Sequence, residues 1–145
     1  ANNLGYTLID SGRDAERAER MIRSSLARDP DIAATLDSMG WVFYKKGEFD
    51  KAVDMLTRAR YRTDREDPVV FDHLGDASYR LGRIDDAKRH WERAIEICDP
   101  SQKPPPPAAD RSLYPAIKAK LDALADGDTP KTAKVLKTDA STTDD

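Results

Sequence analysis

Cysteine and histidine are nearly missing from this chain: one Cys and two His stand among 145 residues. The lone thiol, Cys98, excludes an internal disulfide and the thiolate cluster of a structural zinc site. His73 and His90 fall on different predicted helices, and a zinc centre takes at least three protein ligands, so polar or packing roles suit them better. His90 and Cys98 are two helical turns apart, too far for proton transfer. Gly-rich phosphate loops, a His-Glu metalloprotease motif and a serine in a strand-to-helix elbow are all absent. Many carboxylates are present, yet no pair is marked as an acid and a base. The sequence therefore points away from an enzyme and indicates no catalytic residue, cofactor or metal.

Charge of one sign is also lacking. The 24 basic and 27 acidic side chains leave a net charge of -3. Seven of each lie from Ser101 onward, so the excess belongs to residues 1–100. That balance offers no track for a nucleic-acid backbone, as RNA-binding helical repeats need, and no attraction to an acidic membrane surface. No apolar run approaches the ~20 residues that span a bilayer, which speaks against direct membrane insertion. A basic-then-apolar leader is not seen at the start; Ala1 falls inside what already reads as a helix, and the chain is expected to be cut from a longer array.

What the chain does have is self-similarity. Leu4-Gly5-Tyr6, Met39-Gly40-Trp41 and Leu74-Gly75-Asp76 align with their glycines 35 residues apart. Gly47-Glu48-Phe49-Asp50-Lys51-Ala52 matches Gly82-Arg83-Ile84-Asp85-Asp86-Ala87 at the same offset, as Ala59 matches Ala94. Leu36, Met39, Gly40 and Phe43 recur at three- and four-residue steps and share a helical face. After the break at Gly47, Ala52, Val53, Leu56 and Ala59 form a second face. Phe71, Leu74, Gly75 and Ser78, then Ala87, Trp91, Ala94 and Ile95, repeat the pair. No period-two alternation marks a strand.

The pattern predicts helices over residues 1–11, 14–28, 33–46, 49–62, 68–81 and 84–97. Asp29-Pro30 stops one of them, Gly47 and Gly82 supply left-handed helix ends, and Pro68 suits a first turn. Small residues at Gly40 and Gly75, and at Ala52 and Ala87, leave room for Phe49, Leu56 or Trp91. A larger side chain there would overpack the pair at about 1–3 kcal/mol.

Downstream, Ser101–Asp110 carries the run Pro104-Pro105-Pro106-Pro107, expected to be stiff, extended and solvated. A spacer is the preferred reading over a docking site for a polyproline-recognition domain, because four prolines without other anchors make a weak ligand. Arg111 to Ala125 returns to helix, with Leu113, Ile117, Leu121 and Leu124 in one stripe and Tyr114 beside it. This helix is expected to cap the exposed end of the last pair. Past Gly127 there is almost nothing to bury, so residues 128–145 are expected to be mobile unless a partner or neighbouring chain orders them. The organisation is thus three repeats over residues 1–99 (about 1–31, 32–66 and 67–99), a Pro-rich linker over 100–110, a capping helix over 111–126 and a flexible polar tail over 127–145.

These residues resemble the tetratricopeptide repeat, a pair of antiparallel helices joined by a short turn. Leu36, Met39, Gly40, Phe43, Gly47, Ala52, Leu56 and Ala59 match in the middle unit. Phe71, Leu74, Gly75, Gly82, Ala87, Trp91 and Ala94 match in the last, where Ser78 replaces the usual aromatic. Leu4, Gly5 and Leu8 fit the first unit, and Ala18, Ile22 and Ser25 follow if one residue is inserted near Gly12 and Arg13. More narrowly, residues 36–44 and 72–76, with Ile117–Leu121, are similar to the final repeats and closing helix of bacterial members, some of them outer-membrane lipoproteins acting as adaptors. The resemblance implies an all-α, right-handed solenoid of three helix pairs plus a C-terminal capping helix, used as a non-catalytic scaffold for a protein or peptide.

It also implies that first helices line a concave groove, with Asn2, Tyr6, Ile9 and Asp10 from the first unit. Ala34, Asp37, Trp41, Tyr44 and Lys45 would come from the second, and Val69, Asp72, Asp76, Tyr79 and Arg80 from the third. Helical arithmetic independently puts Asp37, Trp41 and Lys45 on one ridge, and Asp72, Asp76 and Arg80 on another. Trp41, Tyr44 and Tyr79 read as contact aromatics in preference to local packing between repeats. Asp37, Asp72 and Asp76 would make an acidic middle, with Lys45 and Arg80 toward the helix C-termini, where the helix dipole favours cations. An extended ligand with apolar or aromatic anchors and one or two basic residues suits such a surface. The acidic-terminus clamp of chaperone-binding members is not matched, since Tyr6, Trp41 and Asp76 stand at its positions. The alternatives are a structural or self-association module, with the groove empty or filled by the chain's own tail, or an accessory domain regulating an enzyme.

Overall fold

Repeating helices separated by glycines leave the backbone few choices, and the computed structural model of the chain, described over residues 12–28, 33–60 and 65–136, is helical with no strand among those residues. The helices are α1 (Gly12–Arg28), α2 (Ala33–Lys45), α3 (Phe49–Arg60), α4 (Pro68–Arg80), α5 (Ile84–Cys98), α6 (Ala108–Arg111) and α7 (Tyr114–Asp126). The helix expected over 1–11, with Asn2 and Tyr6, lies outside the described residues, as do Asp29-Pro30 and residues 137–145. The described residues fall into two units. One holds α1 to α3 with residues 133–136; the other holds residues 65–132.

In the first unit α2 and α3 form an antiparallel pair, and α1 packs on α2. Leu36, Met39, Phe43, Ala52, Leu56 and Ala59 are all buried, as are Ala18 and Ile22 of α1. Gly40 is the point of closest approach: a Cβ added there would stand 2.7 Å from Leu56 Cγ.

The second unit repeats the pair as α4 and α5, with Phe71, Leu74, Ala87, Trp91 and Ala94 buried. Here the fit is tighter, because a Cβ on Gly75 would stand 2.2 Å from Trp91 Nε1. Ser78, in place of an aromatic, is buried too. Asp67 caps α4 by accepting from the Val69 N–H at 2.9 Å, with Pro68 in the first turn.

Both first helices end in the same way. Gly47 and Gly82 take φ of 82° and 80°. The Gly47 N–H then bonds Tyr44 O at 2.9 Å and the Glu48 N–H bonds Phe43 O at 2.9 Å. Gly82 N–H to Tyr79 O and Arg83 N–H to Ser78 O reproduce the arrangement at 2.9 Å each. A left-handed residue at this point folds the chain back onto the last carbonyls, which would otherwise lack donors.

Three expectations are corrected in the C-terminal part. The proline run is not uniformly extended and solvated: Lys103–Pro104 is cis, Pro106 is buried, and its carbonyl accepts from Arg111 Nη1 at 2.7 Å. The single helix expected from Arg111 is two, α6 and α7, because Pro115 lacks the N–H that a continuous helix would direct to Arg111 O. Pro115 instead sits in the first turn of α7, which packs on α5 with Ile117 buried. Finally, residues 128–136 do find surfaces to cover: Pro130 is buried, Val135 and Leu136 are half-buried, and the segment makes specific hydrogen bonds.

Candidate functional site

On α2, the periodic placement of Trp41, Tyr44 and Lys45 near the helix C-terminus produces a layered aromatic group. The Trp41 and Tyr44 rings stack with centroids 5.4 Å apart and planes within 1°. Phe49, at the start of α3, meets the Tyr44 ring edge-on at 5.2 Å. Lys45 Nζ lies 5.5 Å from the Trp41 ring centroid, a cation–π arrangement. Tyr44 is not the exposed aromatic the sequence suggested: it is 0% exposed. Trp41 is half-buried and Asp37 is half-buried beside it on the same ridge.

The cover over Tyr44 is the chain's own C-terminal segment. Tyr44 Oη donates to Ala133 O at 2.5 Å and Lys45 Nζ donates to Lys134 O at 2.8 Å. The Leu136 N–H in turn donates to Lys45 O at 2.7 Å. That last bond follows from the cap at Gly47, which uses the carbonyls of Val42, Phe43 and Tyr44 and leaves the Lys45 carbonyl outside its own bonds. Two donors and one acceptor on consecutive residues of α2 thus meet three main-chain groups of a non-helical segment.

The corresponding part of α4 is built differently. Asp76 occupies the position of Trp41 in the 35-residue register and is only 2% exposed. It accepts from Trp91 Nε1 at 3.2 Å and from Lys120 Nζ at 2.8 Å. Asp72, one helical turn earlier, accepts from the same ammonium at 2.7 Å. The i, i+4 spacing that places both carboxylates on one face lets one three-donor ammonium serve both. Lys120 itself is 9% exposed at its side chain and lies 5.7 Å from the Trp91 ring centroid. Burial opposes its charge, but Asp76 and Asp72 more than offset that and raise its pKa above the ordinary 10.5.

The expected acidic middle is therefore corrected: Asp72 and Asp76 serve as the anchor of α7, and their charge is shared with Lys120. The sequence carries a signal for this. Lys120 falls on the buried side of α7, three residues after Ile117 and four before Leu124, where a solvated lysine would not be placed. Tyr79 is half-buried with its ring 6.1 Å from that of Trp91, and Arg80 Nε donates to Thr132 Oγ1 at 2.9 Å.

The chemistry-bearing residues are occupied elsewhere. His73 is buried within α4, and the His90 ring lies 6.3 Å from Phe71. Cys98 is buried, and that burial pushes its thiol pKa up, away from the reactive thiolate. Among the described residues, no group of three or more His, Cys, Asp or Glu could hold a metal, and no helix is long and apolar enough to cross a membrane.

Helix pairs repeating at a 35-residue offset, turned by the same glycine cap and packed through the same glycine contact, define a helical-hairpin repeat protein. Sequence profiles of the tetratricopeptide repeat match residues 35–68 and 70–98. Residues 35–98 thus carry two repeats of the tetratricopeptide-repeat superfamily. The chain is 36% identical over 98 residues to a TPR repeat-containing protein of Pseudomonas aeruginosa, covering 65% of this chain and 16% of that protein. A TPR repeat-containing protein of Bacillus subtilis is 26% identical over 80 residues, 55% of this chain and 19% of that one. The peroxisomal targeting signal receptor of Saccharomyces cerevisiae is 28% identical over 94 residues, 64% of this chain and 15% of the receptor. The chain thus matches less than a fifth of the length of each of these relatives. Repeats of this family generally mediate protein–protein interaction and are typically non-catalytic scaffolds.

Proposed function

We propose that this chain is a non-catalytic adaptor that holds a protein or peptide segment on α2, the first helix of its second repeat, with Trp41, Tyr44 and Lys45 as the principal contacts. The observation that carries the reading is the seat on α2, where a hydroxyl, an ammonium and a helix-end carbonyl engage the main chain of a polypeptide segment. A preformed surface of this kind costs little to order when a ligand binds. Trp41, half-buried and stacked, supplies the kind of rigid aromatic area that anchors interfaces. Two relatives are bacterial proteins and a third is by name a receptor for a targeting signal, which supports an adaptor role within a larger protein. Engagement of both Asp72 and Asp76 by Lys120 weakens the case for basic ligand residues. Apolar or aromatic side chains on a segment with accessible main chain become the features to select.

The test is to select a displayed peptide library against the chain and measure the affinities of the selected peptides for Trp41→Ala and Tyr79→Ala variants. Trp41→Ala should weaken binding by roughly tenfold or more, and Tyr79→Ala by less, with helicity preserved. Unchanged affinities in both variants would overturn the assignment.

A further inference from the structure

We infer that residues 133–136 are an internal, displaceable ligand of the α2 site, so that a partner binds this chain in competition with its own C-terminal segment. The inference rests on the proposed peptide-binding role of α2 and adds a specific occupant, a register and a mode of control.

Three observations lead there. Three bonds between this segment and α2 go to main chain on the segment side: Ala133 O, Lys134 O and Leu136 N. Such bonds do not depend on side-chain identity, so any non-helical segment offering two successive carbonyls and an amide two residues further on can replace them. On the α2 side two of the three groups are side chains, the Tyr44 hydroxyl and the Lys45 ammonium, and the third, Lys45 O, is the carbonyl that the Gly47 cap leaves over. Lastly, the segment contributes only modest apolar cover: Ala133, Val135 and Leu136 are half-buried while Lys134 is exposed. A segment integral to the repeat core would be fully buried, as Leu56 and Ala59 are. The position is that of a ligand, held through its main chain at the high effective concentration that a covalent tether provides.

The arithmetic follows from population shift. A ligand whose site is open only a fraction of the time is weakened by that fraction, so a segment seated about 90% of the time costs a competitor about tenfold in affinity. The partner that fits is a second extended segment presenting the same register, with apolar side chains at the places of Val135 and Leu136.

The experiment uses the full chain and a synthetic peptide of residues 130–137, Pro-Lys-Thr-Ala-Lys-Val-Leu-Lys, with two readouts. Amide exchange of Leu136 should be slowed at least about tenfold relative to the free peptide. Leu136→Pro, which removes the donor to Lys45 O without altering α2, should bind the peptide at least about tenfold more tightly than the unmodified chain. Equal affinities for the two chains, no binding to the Leu136→Pro chain, or free-peptide exchange at Leu136 would each overturn the inference. If Leu136→Pro lowers helicity, Tyr44→Phe replaces it, and Leu136 exchange should then quicken several-fold; unchanged exchange overturns the inference. Trp41-dependent library peptides with an unprotected Leu136 would sink self-occupancy alone. A protected Leu136 with no Trp41 dependence would sink the proposed function while retaining the occupant.

Discussion

The second and third repeats share a register, a cap and a glycine contact, yet the residue at one shared position has opposite fates. Trp41 in the second repeat stays half-buried and stacks on Tyr44, beside a segment held by main-chain bonds. Asp76 in the third is sealed under Trp91 and Lys120. A first-helix position is therefore not a binding position by right. The third repeat uses its own to hold a capping helix by a buried ion pair, whereas the second presents main-chain-directed donors that another segment can meet. The difference lies in reversibility: bonds to a segment's main chain can be exchanged for those of another segment, but an ammonium seated between two carboxylates cannot leave without stranding charge.

The largest effect expected from that contrast is at Lys120. Lys120→Ala leaves two carboxylates without their shared cation and should cost about 3–5 kcal/mol in urea unfolding, whereas Trp41→Ala should cost roughly 1 kcal/mol. Equal losses would break the comparison. The pH dependence has a definite sign. The pKa of Lys120 is raised by folding, so its contribution is complete below the unfolded value near 10.5 and is lost as pH rises through the higher folded value. Lys120→Ala should abolish that alkaline loss of stability.

Next in size are the glycines. Gly75→Ala drives a methyl into the flat, confined Trp91 ring, and about 1–3 kcal/mol is expected. Gly40→Ala meets the flexible Leu56 side chain and should cost less, about 1 kcal/mol. The reverse order in thermal unfolding would contradict the view that the third repeat is the more tightly committed. Smaller still, Tyr44→Phe should lose about 0.5–1.5 kcal/mol with its bond to Ala133. Tyr79→Phe should stay within about 0.5 kcal/mol. The gentlest probe is Cys98, buried in the third repeat: alkylation at pH 8 should be far slower in the native chain than in urea, and its rate reports opening of that unit alone.

Much of the fold was legible because the evidence for it is local or periodic. Gly40 with Leu56 and Gly75 with Trp91 are read from a recurring glycine opposite a recurring large residue, and Gly47 and Gly82 from the residue that a left-handed helix end demands. Pro115, which suits a first helical turn, is a local signal of the same kind. The site was less legible, since its decisive partners are far apart in the chain. Lys120 lies 48 and 44 residues from Asp72 and Asp76, and Ala133 lies 89 from Tyr44. Nothing in a heptad-length window pairs them. The C-terminal segment was harder still, because bonds made by main-chain groups leave no signature in side-chain composition.

The glycine caps carry one more consequence. A cap of this form consumes a fixed set of carbonyls and leaves the next one, Lys45 in the second repeat, to whatever comes near. That acceptor is a property of the backbone, so substitution at position 45 cannot delete it, and each duplication of the repeat copies it together with the glycine. Arrays of this kind inherit a contact atom that sequence drift does not erase.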